Sequence, residues 1–177
     1  MLEIVIPEGE TYNPLTSEFL YIKETKLKLE HSLVSIAKWE SKWKRPFLEK
    51  GPQTAEETID YVRCMTITQN VNPVVYQFLN ADIMNQINEY INDPMSATKL
   101  RQDNNQRRGR REIYTSEVLY AYMVNLQIPF ECQKWHLNRL LMLIESCGRL
   151  AEPPKKMTAK ERRAINAANR KRFHTKG

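Results

Sequence analysis

A chain of 177 residues with 41% hydrophobic and 27% charged residues is long enough to bury one core and too apolar to be a disordered polymer. Five glycines are too few for a turn-rich all-β architecture, and the abundance of Leu, Ile, Met, Glu, Lys and Arg favours helix. The net charge of +6 is concentrated in residues 151–177, where nine Lys or Arg face two Glu for +7, and in residues 99–112, at +4; everything else carries −5, which excludes a basic nucleic-acid face on the core.

In chain order, Leu2-Glu3-Ile4-Val5-Ile6 is β-rich and stops at Pro7, residues 9–14 read as turn-like, and residues 18–30 alternate through Phe19, Tyr21, Leu27 and Leu29. Two or three short antiparallel strands follow, which must pack on helices to be stable. From Ser32 the spacing of Leu33, Ile36, Trp39 and Trp43 is helical, and Pro46 ends the run. Thr54-Ala55-Glu56-Glu57 is a capping box, predicting a second helix to about Thr68. Asn72-Pro73 opens a short helix through Leu79, and Asn80 caps another bearing Ile83, Ile87 and Ile91, which Pro94 closes. Residues 96–112 lack apolar periodicity and read as a mobile Arg-rich loop. Residues 115–127 carry Leu119, Tyr122, Met123 and Leu126 on one helical face, and 131–146 carry Leu137, Leu140, Leu141 and Ile144 on another. Pro153-Pro154 marks an edge, after which Thr158-Ala159-Lys160-Glu161 is a capping box opening a basic helix. The expected architecture is α+β and mostly helical: a compact domain over 1–150, with N-terminal strands on a bundle of five to six helices, and a basic extension over 151–177.

Three widely spaced cysteines, Cys64, Cys132 and Cys147, and no apolar leader at Met1-Leu2-Glu3-Ile4 point to a reducing cytoplasm. The uncharged run from Cys64 to Ala81 is filled with Thr, Gln and Asn and broken by Pro73, so no membrane span is expected. Cys132 and His136 stand four apart on one predicted helix, a metal-ligand spacing, yet neither CxxC nor HxxxH accompanies them. His31, His136 and His174 are the only imidazole bases, and His31 reads as a cap or packing residue beside Ser32. No glycine-rich phosphate loop exists, and Glu56-Glu57 sits where it complements a helix dipole. The expectation is a binding protein and not an enzyme, with no catalytic, cofactor or metal residues. Trp39, Trp43 and Trp135 are candidate protein-binding anchors, with core filling as the competing role. Arg107, Arg108, Arg110, Arg111, Arg162, Arg163, Arg170, Lys171 and Arg172 form two basic arms able to meet phosphate or an acidic protein surface.

Residues 29–43, LEHSLVSIAKWESKW, and 128–141, IPFECQKWHLNRLL, together with Cys64-Met65-Thr66-Ile67-Thr68-Gln69-Asn70-Val71, Glu89-Tyr90-Ile91 and Pro153-Pro154-Lys155-Lys156-Met157, resemble the tail assembly chaperones of long-tailed bacteriophages. The resemblance extends over nearly the whole chain. It implies a protein of the host cytoplasm that binds the tape-measure protein and keeps it soluble until tail-tube subunits polymerise around it. Families of this kind often also yield a longer product by ribosomal frameshifting. No individual binding residue follows from the resemblance. The partner it implies is the tape-measure protein, with self-association as a further partner class and no membrane. The alternative is a nucleic-acid-associated or head-to-tail structural component of the virion using the two basic arms.

Overall fold

The computed structural model describes residues 1–13, 18–49, 51, 53–98, 114–151 and 159–173. It is an α+β fold, mostly helical, with two short antiparallel strand pairs. The chain divides into two compact units, Met1–Cys147 and Gly148–Gly177.

The first unit opens with four strands, β1 (Leu2–Ile6), β2 (Gly9–Asn13), β3 (Glu18–Ile22) and β4 (Thr25–Leu29). β1 pairs with β4 and β2 with β3, and both ladders keep one register, from Leu2 opposite Leu29 to Asn13 opposite Glu18. The four strands are therefore a single long hairpin, a β-arm, interrupted once on each side. Pro7 explains the break on the first side, since it has no N–H to give to the ladder. The 9–13 stretch was expected as turn-like and is instead a strand: Thr11 and Tyr12 suit a pleated surface, and their partners Leu20 and Phe19 lie across the ladder. The inner half of the arm alternates cleanly, with Ile4, Ile6, Leu27 and Leu29 buried and Glu3, Val5, Lys26 and Lys28 exposed. Farther out, Gly9 lies against Phe78; a Cβ there would stand 2.9 Å from a ring carbon, so any larger residue requires the Phe78 ring to shift.

Among the described residues six helices follow: α1 (Leu33–Trp43), α2 (Ala55–Met65), α3 (Ala81–Asn92), α4 (Ser116–Asn125), α5 (Leu137–Ala151) and α6 (Ala159–Phe173), with 3-10 turns at Pro73–Phe78 and Phe130–Lys134. Their starts follow local chemistry. Ser32 and Thr54 each form a complete capping box, and Asn72, Asn80 and Thr115 accept a backbone N–H with their side chains. The predicted capping residue Thr158 lies outside the described residues, as do residues 99–112 of the expected Arg-rich loop 96–112.

Two helical expectations need correction. α2 ends at Met65 and not near Thr68, because the chain leaves the helix to cover the outer edge of β4: Ile67 N donates to Lys28 O at 2.8 Å and Glu30 N to Met65 O at 2.9 Å. The single helix expected over 131–146 is split into the 3-10 turn Phe130–Lys134 and α5, with an extended step between them. There His136 bridges to Ser32, and Leu137 N donates to His31 O at 2.7 Å.

The core gathers β1 and β4 with α1 through α5 around Trp39, Leu33, Ile36, Met65, Ile87, Leu119, Met123, Leu137 and Leu140, all at most 1% exposed. Glu40 joins distant parts of this core. Its carboxylate is buried and accepts from Phe47 N at 2.8 Å and from Ser116 N at 2.7 Å, which ties the end of α1 to the first residue of α4. The partial positive charge at a helix N-terminus favours a carboxylate there. Glu40→Gln keeps the shape but turns an N–H pair towards a backbone donor, and should cost about 2 kcal/mol in urea unfolding. An unchanged midpoint would mean that water replaces this bridge.

Candidate functional site

Cys132 and His136 are both buried, at 5% and 6% exposure, but the break before α5 takes them off any common helical face. The i,i+4 ligand geometry is therefore not formed. Among the described residues no three His, Cys, Asp or Glu side chains stand where they could share a metal ion. The extended step gives His136 other neighbours. Its Nδ1 accepts from Asn138 N at 3.3 Å, so Nε2 carries the proton and donates to Tyr90 O at 3.0 Å.

That arrangement brings His136 against His31, with ring centroids 5.1 Å apart in an edge contact. His31 Nδ1 also hydrogen-bonds the Tyr61 hydroxyl from α2, and its ring lies 6.5 Å from Phe47. Burial, and secondarily the neighbouring His136, push His31 down from 6.5 to about 4, so it is neutral at neutral pH. Burial raises the Tyr61 phenol well above its ordinary value, with Cys64 and Glu30 adding to the effect. Tyr90 is raised for the same first reason, and its hydroxyl donates to Glu30 Oε1 at 2.6 Å. The cluster thus joins the start of α1, α2, the end of α3 and the start of α5 through hydrogen-bonded groups. At 3% exposure, His31 offers a substrate no access. Beside it, a surface depression of about 390 Å³ is lined by Glu30, Ser35, Lys38, Cys64 and Lys134. Burial first and Asp60 next raise the Cys64 thiol, which disfavours the thiolate nucleophile.

The three tryptophans divide. Trp39 is fully buried, its indole N–H donating to Glu57 O at 3.0 Å, and is core where a surface anchor was considered. Half-buried Trp43 donates to Asp60 Oδ2 at 3.0 Å, and half-buried Trp135 carries the Arg139 guanidinium 4.3 Å above its ring. Both keep an open side. Of the basic arms, Arg162, Arg163, Arg170 and Arg172 are exposed on α6, and Lys171 belongs to the same helix. Arg107, Arg108, Arg110 and Arg111 lie outside the described residues.

An apolar surface that the sequence reading missed runs along α4. Between exposed Glu117 and Asn125 the helix carries no charged or amide side chain: Leu119 and Met123 enter the core, Val118, Tyr120 and Tyr122 are half-buried, and Val124 is 61% exposed. Exposed Tyr114 and Phe130 extend it, with Tyr114 near Tyr122 at 6.3 Å and Phe130 near Tyr120 at 6.4 Å. Exposed aromatic and aliphatic side chains gathered on and beside one helix are the pattern of a surface that a partner covers. The detectable signal was the lack of a polar stripe in Val118-Leu119-Tyr120-Ala121-Tyr122-Met123-Val124. No helix among the described residues is long and apolar enough to cross a membrane. No family model matches the chain, and neither a curated protein nor a solved structure matches it.

Proposed function

We propose that this chain is a tail assembly chaperone that binds the phage tape-measure protein in the host cytoplasm during tail morphogenesis. The observation that carries the reading is the aromatic and aliphatic surface of Tyr114, Val124 and Phe130 around α4, together with the resemblance of residues 29–43 and 128–141 to that family. An exposed apolar helix face can accept an amphipathic helix of a partner by ridges-into-grooves packing. Binding the unassembled form and not the aggregate then holds it in solution by mass action. Neither step needs a nucleophile or a metal.

Co-expression with the tape-measure protein tests this. The partner should be soluble with the chain and insoluble without it. Val124→Asp combined with Phe130→Ser should return it to the pellet, each lost anchor weakening binding by about 2 kcal/mol. Equal solubility with and without the chain would refute the role.

A second reading is favoured by the exposed Arg162, Arg163, Arg170 and Arg172: a nucleic-acid-associated or head-to-tail structural component of the virion. It requires steeply salt-dependent binding to DNA or RNA that is lost on deletion of residues 155–177, and the chain's presence in purified virions.

A further inference from the structure

The outer half of the β-arm has a face that nothing in its own unit covers among the described residues. Because the register is constant, Glu10, Tyr12, Phe19 and Tyr21 share one side of the β2–β3 ladder, while Thr11, Leu20 and Ile22 share the other. Ile22 is buried, whereas Tyr12, Tyr21 and Phe19 are 52%, 60% and 68% exposed. Tyr12 and Phe19 sit opposite each other with centroids 5.3 Å apart, and the Tyr21 hydroxyl donates to Glu8 Oε2 at 3.1 Å. This half of the arm is also acidic: over residues 8–24, Glu8, Glu10, Glu18 and Glu24 stand against Lys23 alone, for −3.

Aromatic faces ringed by carboxylates suit guanidinium and ammonium groups, which gain both a ring quadrupole and an ion-pair partner. Two arms meeting face to face would oppose Glu8 and Glu10 with their own kind, so symmetric arm pairing is disfavoured. The complementary chemistry is present in the same chain. Across α6, Lys160, Arg162, Arg163, Arg170, Lys171 and Arg172 stand against Glu161 for +5. Its described side chains are all exposed, and Ile165, Ala168 and Arg172, at spacings of three and four, place apolar and cationic groups on one face.

We infer that the aromatic face of the arm's outer half is a self-assembly surface, which accepts the cationic helix α6 of a second copy. The contact is heterologous: each copy uses its arm on one neighbour and its helix on another, giving an open chain or a closed ring. It is independent of the α4 surface.

The test uses full-length protein in sedimentation equilibrium. At low salt the mass of the wild type should rise with concentration, and high salt should return it to monomer. Glu8→Lys with Glu10→Lys, and separately Arg170→Glu with Arg172→Glu, should each weaken association at least about tenfold, a loss of about 1.4 kcal/mol. Mixing the two variants should restore it, since each arm then meets a helix of opposite charge. Tyr12→Ser with Phe19→Ser should weaken association in both the wild-type and the mixed experiment, with circular dichroism confirming that the fold persists. A monomeric mass for the wild type at every concentration overturns the inference, as does association that neither charge reversal changes. Two reversed variants that fail to associate on mixing, although each is folded, overturn it as well.

Discussion

Trp39→Ala is expected to lower the unfolding free energy by about 3–5 kcal/mol, the range for truncating a large aromatic in a closed core. The indole is fully buried and packs edge-on against Phe47 at 5.2 Å, which in turn lies 4.1 Å from Tyr61, so its removal opens the space between α1 and α2. The substitution also removes the indole N–H that Glu57 O accepts. The Glu57 carboxylate accepts from Arg45 at 2.8 Å and from Thr54 N at 2.7 Å, so the start of α2 is held in place beside the vacated space. Trp39→Phe should recover part of the loss, because it refills the cavity without the N–H. The measurement is urea unfolding followed by circular dichroism; a loss below about 1 kcal/mol for the alanine variant would contradict a packed core at this position.

Acidification should destabilise the fold through His31. The imidazole titrates at about 4 in the folded chain and near 6.5 when unfolded. Between those values the unfolded chain binds more protons, so stability rises with pH there. The contribution is complete above the unfolded value and is lost as pH falls towards the folded one. The loss is roughly 3 kcal/mol, and none follows from this group at lower pH. Protonation is costly because the ring is buried against Tyr61, Phe47 and His136, and the hydrogen-bond partner of its Nδ1 is a neutral phenol and not a carboxylate. Carboxylates also titrate near pH 4, so the comparison is with His31→Gln. The slope of unfolding free energy between pH 6.5 and 4 should be shallower in that variant by the amount given above. Parallel slopes in the two proteins would rule His31 out as the acid-sensitive group.

Several features were legible because they are local. Ser32, Thr54, Asn72, Asn80 and Thr115 sit at helix starts since a side-chain oxygen reaches an N–H two or three residues on, wherever the helix lies in the fold. The alternation in β1 and β4 and the three-four spacing of Leu33, Ile36 and Trp39 likewise need only one element and one buried side. Gly9–Asn13 was misread because a strand with Gly, Glu and Asn is fixed by its partner more than by its own propensity. The 131–146 segment was misread because its apolar spacing continues through a point where backbone pairing to His31 and Ser32 outweighs one more helical turn.

By itself the sequence determined the α+β class, the helix starts, the acidic bulk with its basic C-terminal segment, and the absence of a phosphate-loop motif, since each depends on residue type and spacing. Only the tertiary structure decided that Trp39 is core, that Glu40 serves the start of α4, that His31 meets His136, and that Tyr12, Phe19 and Tyr21 stay outside. Those outcomes depend on which remote groups arrive beside one another. A side chain's burial, partner and protonation are set by that arrival, and no local period encodes it.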